Sequence, residues 1–468
     1  MEMDAGGPHP KKRRSASPGV GEDGGGADCI SALPDAVLGD IISLLSTKEG
    51  ARTRILASRW RDLWRSAPLN LDYRDLAIEG VTVRTDVVSR ILSSHRGPGR
   101  RLYVNTYSLN VPADSVEACL RSAALNNLED LDFTDHRIEQ PHLTLIFRFS
   151  PTLRVANICK CDLSDITFQG LHFPLLRQLG LIEFKISELS LHSLIHGCPV
   201  LECFLIDRCV GFRSVRINSL TIRSISAGVS LYRFHPRPTH RLLLEQLVIE
   251  NAPCLVRLLI PGQGISLQVV VVAAPKLETL GFITDACDPT DPYRLVFGST
   301  VIKGLCVEKL VTVVRTVKML ALDMQNLSLD MVIDLMRCFP CLEKLYIQSF
   351  ESSPGNLWRR KHRNLIRDLD MRLKTIVLEK YKGLRSQVNF VTFFVLNAKV
   401  LESVTLGIRE RNNNEEFLAE QRRKLQVENK VSRDARFHFT TSTFVRSFYG
   451  VKHVRDSDLT DPFTHRSI

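Results

Sequence analysis

The stretch Phe173–Ile182, FPLLRQLGLI, decides how this chain folds. Leu176, Leu179 and Leu181 stand in the pattern Leu-x-x-Leu-x-Leu, with Pro174 two residues ahead. Residues two apart share one face of a strand. Leu179 and Leu181 therefore read as the inward side of a short strand. Pro174 breaks the chain just before it. The unit recurs on both sides with other apolar residues sometimes replacing Leu. Upstream it stands at Leu128-Leu131-Phe133 and Leu153-Ala156-Ile158. Downstream copies are Leu201-Phe204-Ile206, Leu244-Leu247-Ile249, Leu255-Leu258-Ile260 and Leu277-Leu280-Phe282. The last are Val317-Leu320-Leu322, Leu342-Leu345-Ile347, Leu373-Ile376-Leu378 and Leu401-Val404-Leu406. Pro151, Pro199, Pro253, Pro275 and Pro340 keep the phase of Pro174.

The early units start at Leu128, Leu153, Leu176 and Leu201, a step of 23–25 residues. A repeat of 20–29 residues with this pattern is a leucine-rich repeat. Each unit contributes one parallel strand, and stacked units share a core. The fold class is therefore α/β: a short N-terminal helical module, then a leucine-rich-repeat solenoid with a curved parallel sheet. The long gap between Leu201 and Leu244 predicts a degenerate unit near Leu220–Ile225 and a loop around His235, Pro236 and Pro238. The pattern of Phe417, Leu418, Gln421 and Leu425 predicts a terminal helix over 414–430, and the last dozen residues read as frayed.

Ahead of the repeats, Ile30–Trp64 packs three helical patterns into about 35 residues, too few to bury a core unaided. Pro34 and Asp35 suit the first turn of a helix. Val37, Leu38, Ile41, Ile42 and Leu45 make its apolar stripe. Ser46 and Glu49 have capping-box spacing and start a second helix. Leu56, Trp60, Leu63 and Trp64 mark a third, ended by Pro68. Surplus apolar surface on so small a unit argues for a partner. Amphipathic helices follow at Thr85–His95 and Asp114–Leu125.

The 468 residues carry a formal net charge of +11. The excess is concentrated in Lys11, Lys12, Arg13 and Arg14, a cluster with the look of a nuclear-import signal, and around Arg359, Arg360, Lys361 and Arg363. The second cluster lacks interleaved aromatics, which weighs against nucleic acid. Residues 1–28, with the Gly21–Gly26 run, read as a disordered arm. No apolar run is long enough to span a bilayer. The protein is expected in the nucleus and/or the cytoplasm, with its twelve cysteines reduced. Cys338-Phe339-Pro340-Cys341 reads as repeat positions rather than a metal or redox motif. Cys161 and Cys209 occupy the Asn/Cys position of the repeat. His192 and His196 read as repeat-helix residues. No nucleophile elbow, phosphate loop or paired-carboxylate motif is present, so no catalytic residue, metal or cofactor is expected.

Residues 30–64 resemble a plant-type F-box, opened by Leu33-Pro34-Asp35, with Leu56-Ala57-Ser58-Arg59-Trp60-Arg61 near its end. Residues from about 85 to 410 resemble the leucine-rich part of plant F-box/LRR proteins. Leu373–Ile408, with Asn397-Ala398-Lys399-Val400-Leu401, resembles the FBD segment of that family. Ser46 stands where the pattern usually has proline, and Glu49 where it has aspartate. The spans implied are an arm at 1–28, an F-box at 29–70, a solenoid at 85–372, FBD-like repeats at 373–410, and a helix and tail at 411–468.

The resemblance implies a non-enzymatic substrate receptor of a Skp–cullin–F-box ubiquitin ligase. A Skp-family adaptor, and through it a cullin-RING ligase, would be held by Leu33, Pro34, Ile41, Leu44, Leu45, Leu56, Trp60, Leu63 and Trp64. The repeats would hold a protein target. The rivals are a leucine-rich scaffold without ligase assembly, a nucleic-acid-binding protein, and a receptor whose target is glued by a small molecule. The residue just past the third Leu position gives Asp207, Glu250, Asp323 and Glu379, a candidate acidic stripe for a basic target, set against the plain reading that loop starts are polar.

Overall fold

The computed structural model describes residues 30, 32–78, 82–83, 85–106, 111–135, 137, 143–163, 170–229, 242–260, 267–285, 293–351, 371–441, 453–458 and 461–463. Three helices open it: α1 (Asp35–Leu44), α2 (Thr47–Thr53) and α3 (Ser58–Ser66). The Ser46–Glu49 capping box forms as predicted, with both reciprocal bonds at 3.4 Å. Beyond them runs a 14-stranded sheet, parallel between all neighbours, from Leu69–Asp72 to Arg436–Thr440.

A single register row threads all fourteen strands. It starts at Leu71, passes Leu102, Leu131, Ala156 and Leu179, and ends at Val404 and Phe437. This row is the middle Leu of the predicted unit, and it points into the principal core. The predicted degenerate unit is the strand Ser224–Gly228, in register with Cys203–Asp207. Each coil enters its strand alike: one carbonyl accepts two successive N–H groups of the next coil. Glu129 accepts from Arg154 and Val155, and Glu343 from Lys374 and Thr375. Charged side chains alternate along that edge, as in Arg177–Glu202 at 2.7 Å and Lys318–Glu278 at 2.8 Å.

The far side of the core is helical at both ends, at Ala113–Arg121, Glu188–His196, Leu329–Cys338 and Arg385–Asn397. In the middle it is a second sheet. Ser214–Asn218, Gln246–Asn251, Gln268–Val271 and Arg294–Phe297 run parallel, and Thr300–Lys303 and Cys306–Lys309 close it antiparallel. β-branched runs such as Val269–Val272 suit strands better than helices. The unit predicted at Leu244-Leu247-Ile249 thus belongs to the opposite sheet, with Leu247 facing the core from behind. A second difference lies at Leu277-Leu280-Phe282. A bulge there gives Ile283 the inward place and leaves Phe282 at φ +64°, on the other face.

The terminal helix spans Glu415–Lys424, capped by Asn414, which accepts from the Phe417 N–H at 2.8 Å. The sheet then gains a strand the sequence reading missed, Arg436–Thr440. Residues 453–458 and 461–463 are not frayed: Val454 and Phe463 are fully buried. Residues 1–28, the loop around His235 and the Arg359–Arg363 cluster lie outside the described residues. No helix among the described residues is long and apolar enough to cross a membrane.

Candidate functional site

The helical module has a small core of its own: Leu38, Ile42, Trp60, Trp64 and Ala67, with Leu33 and Leu63 packed against it. Trp64 meets His95 edge-on at 5.3 Å, and the His95 ring contacts the Ala67 carbonyl at 2.8 Å. Asn70 donates to the carbonyls of Ser43 at 2.6 Å and Leu45 at 2.9 Å, while the Thr47 hydroxyl bonds back to the Asn70 carbonyl. These bonds fix the module to the first strand of the solenoid. Arg59 donates to the Leu33 carbonyl at 2.7 Å and pairs with Asp35, holding the opening turn over α3.

Of the residues assigned to the adaptor, Pro34, Ile41, Leu44 and Leu56 are exposed. Leu33, Leu45 and Leu63 are half-buried. Trp60 and Trp64 are inside, so they build the module rather than its contact surface. Their amphipathic stripe is satisfied by α1, a neighbour the sequence reading did not place. Two further exposed residues stand outside the set assigned to the adaptor: Val37, read only as part of the first helix's apolar stripe, and Ile55, which is 85% exposed. With Leu44 at 76% and Leu56 at 66%, Ile55 adds exposed apolar surface that no described residue covers. The signal for Ile55 was present in the sequence, since it precedes Leu56 and falls between two helices.

The four acids do not form a stripe. Glu250 lies on the second sheet, paired with Arg216 at 2.8 Å. Asp207, Asp323 and Glu379 are on the main sheet but buried, and Asp207 is four strands from Asp323. Asp323 and Glu379 do share a register row, through Gln348. Sequence register correctly gave the position but not its depth. The residue after Asp207 is left-handed, Arg208 at φ +53°, and its guanidinium reaches Asp207 at 3.1 Å and Glu183 at 3.2 Å.

Burial pushes the Asp207 carboxyl up to about 6 from an ordinary 3.8, against the pull of Arg208 and with Glu183 adding to the rise. Between those two values the folded chain holds more protons than the unfolded one. Stability contributed by this group is therefore greatest below about pH 4 and is lost as pH rises through 6. Asp207→Asn is expected to gain about 2 kcal/mol over its parent at pH 7.5 and little at pH 4. Denaturant titrations at the two pH values test this, and equal differences at both would refute it.

Buried cysteines such as Cys161, Cys209 and Cys338 are structural. Cys161 Sγ donates to the Cys159 carbonyl at 3.2 Å, and Cys209 Sγ to the Leu181 carbonyl at 3.2 Å. Burial pushes the Cys209 thiol up to about 12 and the Cys338 thiol up to about 11, far from a reactive thiolate. His192 Nε2 accepts from the Arg216 N–H at 3.1 Å, a strut between helix and second sheet. Among the described residues no group of His, Cys, Asp and Glu could hold a metal ion. Lys11, Lys12, Arg13 and Arg14 lie outside the described residues.

Residues 116–347 match the family model for the LRR repeats of the FBD-associated F-box protein At5g56370, and residues 361–406 match the FBD model. Its repeats and FBD segment are thus similar to those of plant F-box/LRR/FBD proteins. Similar Arabidopsis thaliana proteins agree. The putative F-box/LRR-repeat protein At3g18150 is 26% identical over 232 residues, 49% of this chain and 47% of its own length. The F-box protein At5g03100 is 28% identical over 218 residues, 45% of this chain and 63% of its own. The F-box/FBD/LRR-repeat protein At5g22700 is 28% identical over 212 residues, 43% of this chain and 46% of its own. The chain thus spans about half the length of several curated relatives it matches. The described part of the FBD is no separate domain. Its strand Thr375–Tyr381, helix Arg385–Asn397 and strand Ser403–Ile408 continue the same sheet.

Proposed function

We propose that this chain is the non-catalytic substrate-recognition subunit of a Skp–cullin–F-box ubiquitin ligase. The F-box would hold a Skp-family adaptor, and the solenoid a protein target. The supporting observation is the apolar surface of Val37, Ile41, Leu44, Ile55 and Leu56 on a module whose own core is already filled by other residues. Exposed apolar surface of this kind marks an interface. Such a receptor works by proximity, raising the effective concentration of target lysines near a charged ubiquitin donor.

Leu44 is the test position because it is exposed and outside the module's core. Leu44→Ala is expected to weaken binding of a purified Skp-family adaptor by about 2 kcal/mol, roughly thirtyfold, with an unchanged melting curve. Parent-like adaptor affinity would sink the assignment. Nuclear import through Lys11, Lys12, Arg13 and Arg14 is proposed alongside it. Neutralising the four is expected to lower the nuclear fraction of tagged full-length protein, and an unchanged fraction would leave a solvated tail only.

A further inference from the structure

The open face of the 14-stranded sheet, which turns away from the principal core, is occupied by the chain's own C-terminal segment. At one end Arg455 pairs with Asp130, and His453 Nε2 lies 3.3 Å from Asp132. Val454 is buried over the strands Gln178–Ile182 and Cys203–Asp207, and its N–H donates to Asn157 Oδ1 at 3.4 Å. At the other end Asp461 accepts from the Tyr346 hydroxyl at 2.6 Å and from Lys344 Nζ at 3.1 Å. Phe463 is wholly buried, 5.0 Å from the Tyr346 ring and 5.3 Å, edge-on, from Phe282.

The sheet is shaped for this occupant. Two open-face positions under the segment are glycines. A Cβ on Gly281 would sit 2.6 Å from the Phe463 ring; one on Gly180 would first meet Asn157 Oδ1, the acceptor of the Val454 N–H, and then the Val454 Cβ at 3.2 Å. Glycine weakens a strand and commonly marks close approach of another chain. The bulge at Phe282 is a second device. It holds a bulky residue at φ +64°, a conformation that costs about 1–3 kcal/mol, and turns its ring toward Phe463. An ordinary strand would have buried Phe282 in the principal core. Strain of this sort, kept to build a pocket, points to recognition rather than packing.

We propose that Gly281, Phe282, Lys344 and Tyr346 form a peptide-recognition pocket for an acidic-x-Phe segment, and that Asp461-Pro462-Phe463 is its internal occupant, displaced by a target carrying the same chemistry. The pocket takes a carboxylate on Lys344 and the Tyr346 hydroxyl. The aromatic ring two residues later enters the slot over Gly281. The strip Asp130–Asp132, at the other end of the segment, orients the peptide through a cation ahead of the motif. Calling the displacing peptide a target rests on the ligase reading; the pocket does not.

The test uses the full chain and a fluorescent peptide of residues 453–463, HVRDSDLTDPF. In Phe463→Ala protein the pocket is vacated, so the peptide is expected to bind at least tenfold more tightly than to the parent, whose own segment competes intramolecularly. A peptide with Ala at the Phe463 position is expected to lose at least tenfold affinity for the same protein. If Phe463→Ala proves unstable, Tyr346→Phe serves. It removes only the hydroxyl bond to Asp461, and is expected to speed hydrogen exchange across 453–463 without lowering the melting temperature. Equal peptide affinity for parent and folded Phe463→Ala, or unchanged exchange in Tyr346→Phe, would make the segment a fixed strap and overturn the proposal. Leu44→Ala protein should bind the peptide as its parent does, so failure of adaptor binding and failure of the pocket read out separately.

Discussion

Leu345→Ala is expected to destabilise the solenoid by about 2–5 kcal/mol. Leu345 belongs to the register row that threads all fourteen strands, between Leu320 and Ile376, and is fully buried in the principal core. Removing its side chain leaves a cavity in the principal core, against a fourteen-stranded parallel sheet that is not free to collapse. Tyr346, the next residue, is the contrasting case. The alternation of the strand puts it on the open face, as the repeat phase predicts, yet it is not in solvent. Only 2% of it is exposed, because Phe463 and Asp461 cover it. Tyr346→Ala is therefore expected to cost more than an exposed tyrosine would, but less than Leu345→Ala, about 1–2 kcal/mol. The covering segment can undock as a local unit without unfolding the sheet. Denaturant unfolding of the two variants decides the order. A larger loss for Tyr346→Ala would mean that the segment is integral to the fold.

The repeat phase was legible because burial on one side of a strand imposes a period of two that survives substitution of Leu by Ala, Phe or Val. Ala156, Phe204 and Val404 all take the predicted inward place. Which of two sheets a strand joins was not legible. Leu244-Leu247-Ile249 and Leu255-Leu258-Ile260 share one local pattern, and only the packing of the neighbours sends the first to the rear sheet. Glu250 left the proposed acidic stripe for the same reason. In the helical module, the third-helix stripe showed that Trp60 and Trp64 need covering but not by what; α1 covers them, and Ile55 and Leu56 stay exposed. The C-terminal segment was the least legible part. HVRDSDLTDPF has the composition of a solvated tail, with Val454 and Phe463 its only described apolar side chains apart from Pro462. Its order comes from contacts at sequence separations as large as 325 residues, for Arg455 with Asp130. Local pattern carries no trace of such contacts.

Gly211→Ala is expected to cost about 3–5 kcal/mol, although it adds one methyl group. Gly211 sits in the turn that carries the chain from the strand Cys203–Asp207 on the main sheet to Ser214–Asn218 on the rear sheet. The turn is held from both sides. Val210 donates to the Phe184 carbonyl at 2.9 Å and accepts from the Ile186 N–H at 3.0 Å, and Gly211 donates to the Leu242 carbonyl at 2.9 Å. These bonds fix Gly211 at φ +106°, where an L side chain is strained by about 1–3 kcal/mol. A Cβ there would also lie well inside contact distance of the Ile186 carbonyl, a backbone atom held by its own coil. Overpacking against rigid backbone adds about 1–3 kcal/mol. Gly170→Ala separates the two effects. Gly170 is also left-handed, at φ +80°, but a Cβ there meets nothing within 4 Å. It is expected to cost only the conformational part, about 1 kcal/mol. Equal costs for the two substitutions would show that the Ile186 coil yields, and that the crossing between the sheets is looser than its hydrogen bonds imply.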